Sequence, residues 1–489
     1  MLVTADLTLA LGGLVVAVLI LYVTARKWQR LDIHKCVKGP LRGYLSSSYP
    51  PSAVQEKEPA PSPQYQGLLP PLRREFLQDI RQPICYQRIR CPPVTEEQVK
   101  RSILPMESNY MLCNDIKYTP TGFSTEDIKA LGDFPDYATL SGVPLPEPYP
   151  EFDIAKAIPR PYRPFRWNYH QTMSLARLDT NWWLELENTY KERVAERMGL
   201  YRKCGKEVLD YLPGSELACK ELMEMSLQFL CARYPHYFSL SRDKRFFNNG
   251  ILGTVEDLQA AHPIEILMAN IPEDFAIMLR DEKTGNYYLR AGATCSSLGW
   301  NLGTKMGLQL HEIHGPIPDY KEKMQFSMGR YFSKMPTDKP IQRGSWGLEV
   351  DMPLYMPPGD PHELLRLSQS PDLKLSDCYL RVDWQSLRRL PLSGAIVFNY
   401  RAVFTPVSEF KDEPGIPGLL VKILEEAKKS IMEYKSTWHV EHVVLPAFKQ
   451  WAKEQEESGL VEKDWNVCTL EESPYFKGWE EKWHHQQGF

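Results

Sequence analysis

The spacing of hydrophobic and polar positions changes several times along the chain, and the first change predicts a membrane segment. Residues 7–25 read LTLALGGLVVAVLILYVTA and contain no charged side chain. A helix of this length crosses roughly 30 Å of hydrocarbon. Basic residues follow it, at positions 26, 27, 30, 35, 38 and 42. The positive-inside bias therefore predicts a single-pass anchor with a cytoplasmic body, which we expect in the endoplasmic reticulum membrane.

A secretory signal peptide is the competing interpretation of the same segment. It would need a basic region before the apolar stretch and a cleavage site of small residues after it. The short tail, residues 1–6, carries Asp6 instead of a basic residue. The pattern therefore favours a retained anchor.

Prolines mark the next two segments. Residues 49–71 contain seven prolines, so we interpret residues 26–71 as a basic and then proline-rich linker. Prolines stay frequent through residues 72–164, which excludes a long regular helix there. The aromatic residues of this part predict that it wraps over a core.

The remaining chain, residues 165–489, changes from helical to alternating spacing and back. Apolar positions at helical spacing predict helices within residues 165–260 and 411–489. Between them, residues 261–410 predict two strands around a Lys-Thr-Gly-Asn turn, then helices from Trp300 to His311 and over YKEKMQFSMGRYFSKM, then three strands. This order predicts an α+β fold in which helices cross one face of an antiparallel sheet.

Composition and common motifs exclude several classes of function. The net charge is −4 and no basic stripe is visible, so we expect no nucleic-acid partner. None of the ten cysteines forms a C-x-x-C pair, which leaves zinc ribbons, iron–sulfur clusters and thioredoxin chemistry unsupported. Phosphate-binding glycine loops and the nucleophile-elbow serine are absent as well.

Two histidines stand three residues apart in LQLHEIHGPIPDY. Zinc-protease helices need histidines four apart on a continuing helix, whereas His311 and His314 are three apart and Gly315-Pro316 ends the helix. One interpretation is a histidine that complements the dipole at a helix C-terminus. The other is a neutral imidazole held by proline-bounded backbone as an axial haem ligand.

A strand rich in polar residues is the second candidate site. Alternation along RVDWQSLRRLP places Arg381, Asp383 and Gln385 on one face of a strand. This face is either a solvated sheet surface or a polar pocket wall. In the second case Arg381 and Arg388 could hold carboxylates such as haem propionates.

Several strings occur together in an order that resembles one known family. They are HQTMSLARLDTNWWLELENTY, PEDFAIML, Trp300 to Gly307 leading into IHGPIPDYKEKM, Arg343 with Trp346, and LRVDWQSLRRLPLSGAIVFNYR. Together they resemble the haem-dependent oxidative N-demethylase-like family, also called HRQ. The resemblance covers roughly residues 160 to 450 and implies a PAS-like fold with a haem pocket.

The resemblance implies site residues position by position. His314 becomes the proximal haem ligand with His311 as fallback, and Trp300, Arg343, Arg381 and Arg388 become haem contacts. The family string R-V-E-R-Q-T-L stands here as Arg381 to Leu387, with Asp383 for Glu and Trp384 for Arg, so substrate preference or activity can differ. Asp383 and Gln385 are then the candidate catalytic residues. Ser174 replaces the glycine of the family's T-M-G-L string.

The implied activity is that of a monooxygenase. A b-type haem would oxidise a small amine with O₂, and NADPH-derived electrons would come from a separate flavin/iron–sulfur or membrane reductase, because this chain has no reductase motif. Two other hypotheses stay open, namely a haem-based sensor or carrier without turnover, and a scaffold that has lost haem. The intact IHGPIP context of His314 argues against the scaffold.

Overall fold

The computed structural model describes residues 118–170, 172–281 and 285–488. The predicted anchor, the linker and most of the following segment up to residue 117 lie outside the described residues. Within the described ranges, no helix is both long enough and apolar enough to cross a membrane.

Helices and antiparallel strands alternate along the described chain. The helices are α1 (Thr125–Leu131), α2 (Tyr137–Ser141), α3 (Tyr190–Cys204), α4 (Glu216–Arg233), α5 (Pro263–Asn270), α6 (Leu310–Ile313), α7 (Tyr320–Lys323), α8 (Gln325–Lys334), α9 (Pro361–Leu365), α10 (Ile416–Glu426), α11 (Lys429–Lys435), α12 (Trp438–Glu457) and α13 (Trp479–Gln486). The strands are β1 (Ala176–Arg177), β2 (Leu209–Tyr211), β3 (Phe238–Leu240), β4 (Phe246–Asn249), β5 (Thr254–Asp257), β6 (Asp274–Arg280), β7 (Tyr287–Ala293), β8 (Ile341–Val350), β9 (Cys378–Arg389) and β10 (Ile396–Pro406).

A seven-stranded antiparallel sheet organises the fold, in the order β1-β8-β9-β10-β6-β7-β2. Its five central strands pair 2-1-5-4-3 when numbered along the chain, with α6, α7 and α8 between the second and the third. The β9–β10 hairpin is the longest pairing, and the carboxylate of Glu221 on α4 accepts the N–H groups of Leu392 and Ser393 at its turn. This buried contact fixes the hairpin against the helical layer.

The two faces of the sheet contact different helices. On one face, Val382, Trp384 and Val397 belong to a large core shared with α3, α4, α5, α10 and α12. On the other, Met278, Leu387 and Ile396 pack against Leu310, Met328 and Phe332 of α6 and α8. Period-two alternation explains this division, because neighbouring residues of one strand point to opposite faces.

The α+β prediction is confirmed, and so is the hairpin of β6 and β7. The prediction of a helix between Trp300 and His311 is wrong for most of its length. Only a 3-10 turn at Leu302–Thr304 and the first turn of α6 are helical there, because Gly307 takes a φ of 80° that ends regular helix. Within residues 165–260, where helices were predicted, the first α-helix begins only at Tyr190, after β1. The three-stranded sheet β3-β4-β5 was not predicted.

A buried histidine at the start of α5 makes stability depend on pH. The ring of His262 is only 4% exposed, accepts the N–H of Ile264 through Nδ1 at 3.3 Å, and stacks on Tyr211 with 3.6 Å between centroids. Burial lowers the pKa of His262 to about 3. The unfolded chain binds a proton near pH 6.5 and the folded chain does not, so stability is complete above this pH and falls on acidification towards pH 3.

We therefore expect His262→Asn to flatten the acid side of the stability profile. Asparagine keeps the capping acceptor but does not titrate. Between pH 7 and pH 5 the wild type should lose about 2 kcal/mol more of its free energy of unfolding than the variant. Urea denaturation at the two pH values measures this difference. Equal losses would show that His262 is protonated in the folded state.

Candidate functional site

One face of the sheet has a group of partly exposed side chains beside the part that helices cover. Strand pairing places Arg343 of β8, Gln385 of β9 and Tyr400 of β10 side by side on this face, with Asp383 and Phe398 one step away on either side. All five are only partly buried, although β9 and β10 are central strands with partners on both sides. Helices α6 to α8 cover the end near Leu387 instead. We call the open region, lined by these five residues, the sheet cleft.

His314 ends α6 with its imidazole fixed in one tautomer. Its Nδ1 lies 2.7 Å from the carbonyl oxygen of Leu310, and the half-buried ring stacks on Tyr320 with 5.4 Å between centroids. A carbonyl can only accept, so Nδ1 carries the proton and Nε2 keeps a free lone pair. Burial, with smaller contributions from the charges of Lys305 and Arg343, lowers the pKa of His314 to about 4. The ring is therefore neutral at neutral pH, with one nitrogen available to a metal.

The second histidine of the pair differs in its surroundings. His311 lies on the outer side of α6 and is exposed. The described residues contain no group of three His, Cys, Asp or Glu side chains arranged to hold a metal ion. A metal bound through His314 would need further ligands from outside the described residues, and a porphyrin supplies such ligands to iron.

Cationic side chains surround the region between His314 and the sheet cleft. Arg166, Lys305, Arg343 and Lys435 have no carboxylate within 4.0 Å among the described residues. The Nε of Arg343 is buried without an acceptor, and burial together with the charge of Arg166 lowers the pKa of Arg343. A buried cation without a counter-ion is costly. This cluster, which we call the cation group, therefore fits an anionic ligand.

Two lysines of the cation group lie against aromatic rings. The ammonium of Lys305 lies 3.9 Å from the ring centroid of Trp300, and burial lowers the pKa of Lys305 to about 8. The ammonium of Lys435 donates to the Trp346 carbonyl at 2.6 Å and lies 4.4 Å from the centroid of the Trp346 ring. Burial lowers the pKa of Lys435 to about 7, although nearby Asp383 raises it. Arg166 and Lys435 could not be recognised from the sequence, since nothing in their local pattern sets them apart from surface basic residues.

Arg381 and Asp383 form a fixed pair at the edge of the sheet cleft. The fully buried guanidinium of Arg381 donates from Nε to Asp383 at 3.0 Å, from Nη1 to the Pro353 carbonyl at 2.7 Å, and from Nη2 to the Ser296 carbonyl. With these partners Arg381 is a positioning residue for Asp383 and not an open site for a propionate. The Asp383 side chain stays 29% exposed and reaches the cleft.

The structure does not bring Arg388 to the cleft. Its Cα pairs with that of Val397, and the side chain lies on the opposite face of β9, where the guanidinium stacks 4.0 Å above the Trp183 ring. Trp384 lies on that face too and donates to the Gln342 side chain at 3.1 Å. The seven-residue step from Arg381 to Arg388 already implied opposite faces. Trp384, which stands where the family string has arginine, therefore does not line the sheet cleft.

Ser174 adopts a backbone conformation that glycine favours. Its φ is 51°, in the left-handed region, and its hydroxyl lies 2.9 Å from that of Thr172. A non-glycine residue in this region costs roughly 1 kcal/mol, part of which a local hydrogen bond can offset. The serine in place of the family's glycine therefore keeps the same turn before β1.

Comparison with known protein families gives a match, which covers the strands and helices of this region. The model of the family described as haem-dependent oxidative N-demethylase, alpha subunit-like, matches residues 174–445. The match covers more than half of the 489 residues and includes β6 to β10, α6 with His314, and Lys435.

Proposed function

The chain belongs to the haem-dependent oxidative N-demethylase alpha subunit-like family, and from this premise we propose that it holds one b-type haem at the sheet cleft through His314. The family makes the chain a haem-dependent oxidoreductase. The observation that carries the ligand assignment is the hydrogen bond from Nδ1 of His314 to the Leu310 carbonyl. Metal-ligating histidines typically donate their other ring N–H in this way.

The cation group supports the same cofactor. Haem carries two propionate carboxylates, and Arg343 and Lys305 lie close enough to His314 for their charges to lower its pKa. Neither has a carboxylate partner among the described residues. Arg343 and Lys305 would pair with the propionates, and Trp300 keeps the Lys305 ammonium in place.

We further propose that the reaction is the O₂-dependent demethylation of a small amine. A bound haem supplies O₂ activation. Asp383, fixed by Arg381, would accept an N–H hydrogen bond from the amine at Oδ2, and Gln385 would orient the substrate from the same strand face. Tyr400 and Phe398 offer apolar surface to its alkyl groups. Electrons would come from NADPH through a separate flavin/iron–sulfur or other membrane reductase.

The strand order supports a PAS-like interpretation of the cleft domain. Two strands, crossing helices and three strands close into one sheet by pairing the first strand, β6, with the last, β10. We also retain the proposal that residues 7–25 tether this domain to the endoplasmic reticulum membrane, with residues 26–71 as a spacer. Such a tether would keep the domain near a membrane reductase.

A haem sensor or carrier is the second candidate, and one observation favours it. Asp383 is shorter than the glutamate of the family string and is already bound to Arg381. Turnover separates the two functions. The haem-loaded full chain, given a surrogate reductase, NADPH and a panel of secondary methylamines, should release formaldehyde in step with O₂ uptake. A haem-loaded protein that takes up O₂ reversibly without formaldehyde would be a sensor or carrier.

Removing the charge of Asp383 tests its role. We expect Asp383→Asn to lower formaldehyde release about 100-fold or more while haem content stays unchanged, because a positioned carboxylate contributes to proton handling and substrate orientation. Asp372→Asn, at an exposed loop carboxylate, is the matched control. Steady-state rates normalised to the haem absorbance give the result. An Asp383→Asn variant with wild-type turnover would remove Asp383 from the reaction.

A further inference from the structure

A second cleft lies on the face of the sheet opposite the sheet cleft. Its cavity volume is about 30 Å³, and the cleft opens to solvent at its mouth. Arg388 of β9 and Trp183 line it together with apolar side chains, among them Val143, Leu145, Leu178 and Phe229. We call it the back cleft. It shares no lining residue with the proposed haem site.

Arg388 brings an uncompensated positive charge to the back cleft. The side chain is 6% exposed, and no carboxylate of the described residues lies within 4.0 Å of it. The charge of Glu221 raises the pKa of Arg388, but both carboxylate oxygens of Glu221 already accept the N–H groups of Leu392 and Ser393. Burial lowers the pKa of Arg388 to about 10, so the guanidinium is still charged at neutral pH. The stacking of the guanidinium on the Trp183 ring is the main contact that offsets the cost of burying this charge.

Two buried donor groups beside the back cleft have no acceptor among the described residues. The Nε of Arg388 and the indole Nε1 of Trp183, which is 2% exposed, have no hydrogen-bond partner in the part of the chain that the structure describes. Both groups can only donate. Orphaned buried donors are rare in native structures, and each points to a missing acceptor. The neighbouring amide of Gln228 already donates to the Pro135 carbonyl, whereas Arg388 and Trp183 at this cleft have unused donors.

We propose that the back cleft is a binding site for a small carboxylic acid anion with a short apolar tail. The carboxylate would pair with the Arg388 guanidinium where it meets the back cleft, because a donor-only cation requires an acceptor-only head. The tail would contact Val143, Phe229 and Leu145, of which Leu145 is 49% exposed at the rim. The ligand would thus bind behind the strand whose other face carries Asp383 and Gln385.

Equilibrium dialysis of radiolabelled butyrate against the haem-loaded full chain, kept in a non-ionic detergent, tests the site. We expect saturable binding with a dissociation constant of roughly 1 mM. Arg388→Met should weaken it about tenfold or more, Trp183→Phe less, and Arg388→Lys should keep part of it. Arg242→Met, at an exposed arginine, is the matched control and should bind as the wild type does. Thermal unfolding of each variant checks that it is folded.

Three further binding measurements distinguish this site from the proposed haem site. Butyramide, which has the same shape without charge, should not compete. His314→Ala should bind butyrate normally even if the haem proposal fails. Arg343→Met should also bind butyrate normally. If Arg343→Met lost butyrate binding while Arg388→Met kept it, the anion would bind in the sheet cleft, and the inference would be overturned. The absence of saturable binding in the wild type would overturn it too.

Discussion

Replacing His314 with alanine should abolish stable haem binding, whereas replacing His311 should leave it intact. We expect His314→Ala to lower haem affinity about 100-fold or more, with loss of the Soret band of the purified protein, because the iron loses its axial ligand. His311 is exposed and has no comparable contact in the structure, so His311→Ala should keep the wild-type spectrum. The measurement is the visible spectrum after reconstitution with haem.

The two alanine variants are matched controls for each other, since they lie one helical turn apart. Added imidazole should restore much of the Soret absorbance of His314→Ala, because the free ligand can occupy the vacated position while Arg343 and Lys305 still pair with the propionates. An unchanged band in His314→Ala would move the ligand to His311 or elsewhere. A wild-type protein that never acquires a band would refute both the oxygenase and the sensor.

Alternation within strands made much of the central sheet predictable from sequence. The shared face of Arg381, Asp383 and Gln385 follows from the period of two and is borne out by the register. Short elements could not be predicted in the same way. Strand β1 is two residues long and exists because Ala176 and Arg177 pair with Gln342 and Ile341, a contact that local sequence does not encode.

The residues of the candidate site also differ in whether the sequence could predict them. His314 could be singled out because Gly315-Pro316 ends its helix beside it. Lys435 could not, since its burial depends on how α11 packs beside Trp346, at a separation of 89 residues. The contacts of Arg381 could not be predicted from the sequence for a related reason. A sequence shows that an arginine is present, but the carbonyls of Pro353 and Ser296 that occupy it are set only by the fold.

Arg381 and Arg388, two of the three arginines of β9, should respond very differently to the same substitution. Arg381→Met removes the donor for the Asp383 carboxylate and for three carbonyls, those of Ser296, Pro353 and Leu354, and leaves these acceptors near a buried methyl group. Breaking one side of a buried ion pair typically costs about 3–5 kcal/mol. We expect a loss of this size in the free energy of unfolding, measured by urea denaturation of the haem-free protein.

Arg388→Met should stay within about 1 kcal/mol of the wild type, because the lost stacking on Trp183 is offset by no longer burying an unpaired charge. Both substitutions exchange a buried arginine for the same flexible apolar side chain on the same strand, so the intrinsic effect of methionine cancels between them. The difference then reports what each guanidinium contacts. Equal losses would mean that Arg388 has a partner in the folded protein equivalent to Asp383, which would also remove the reason for an anion to bind in the back cleft.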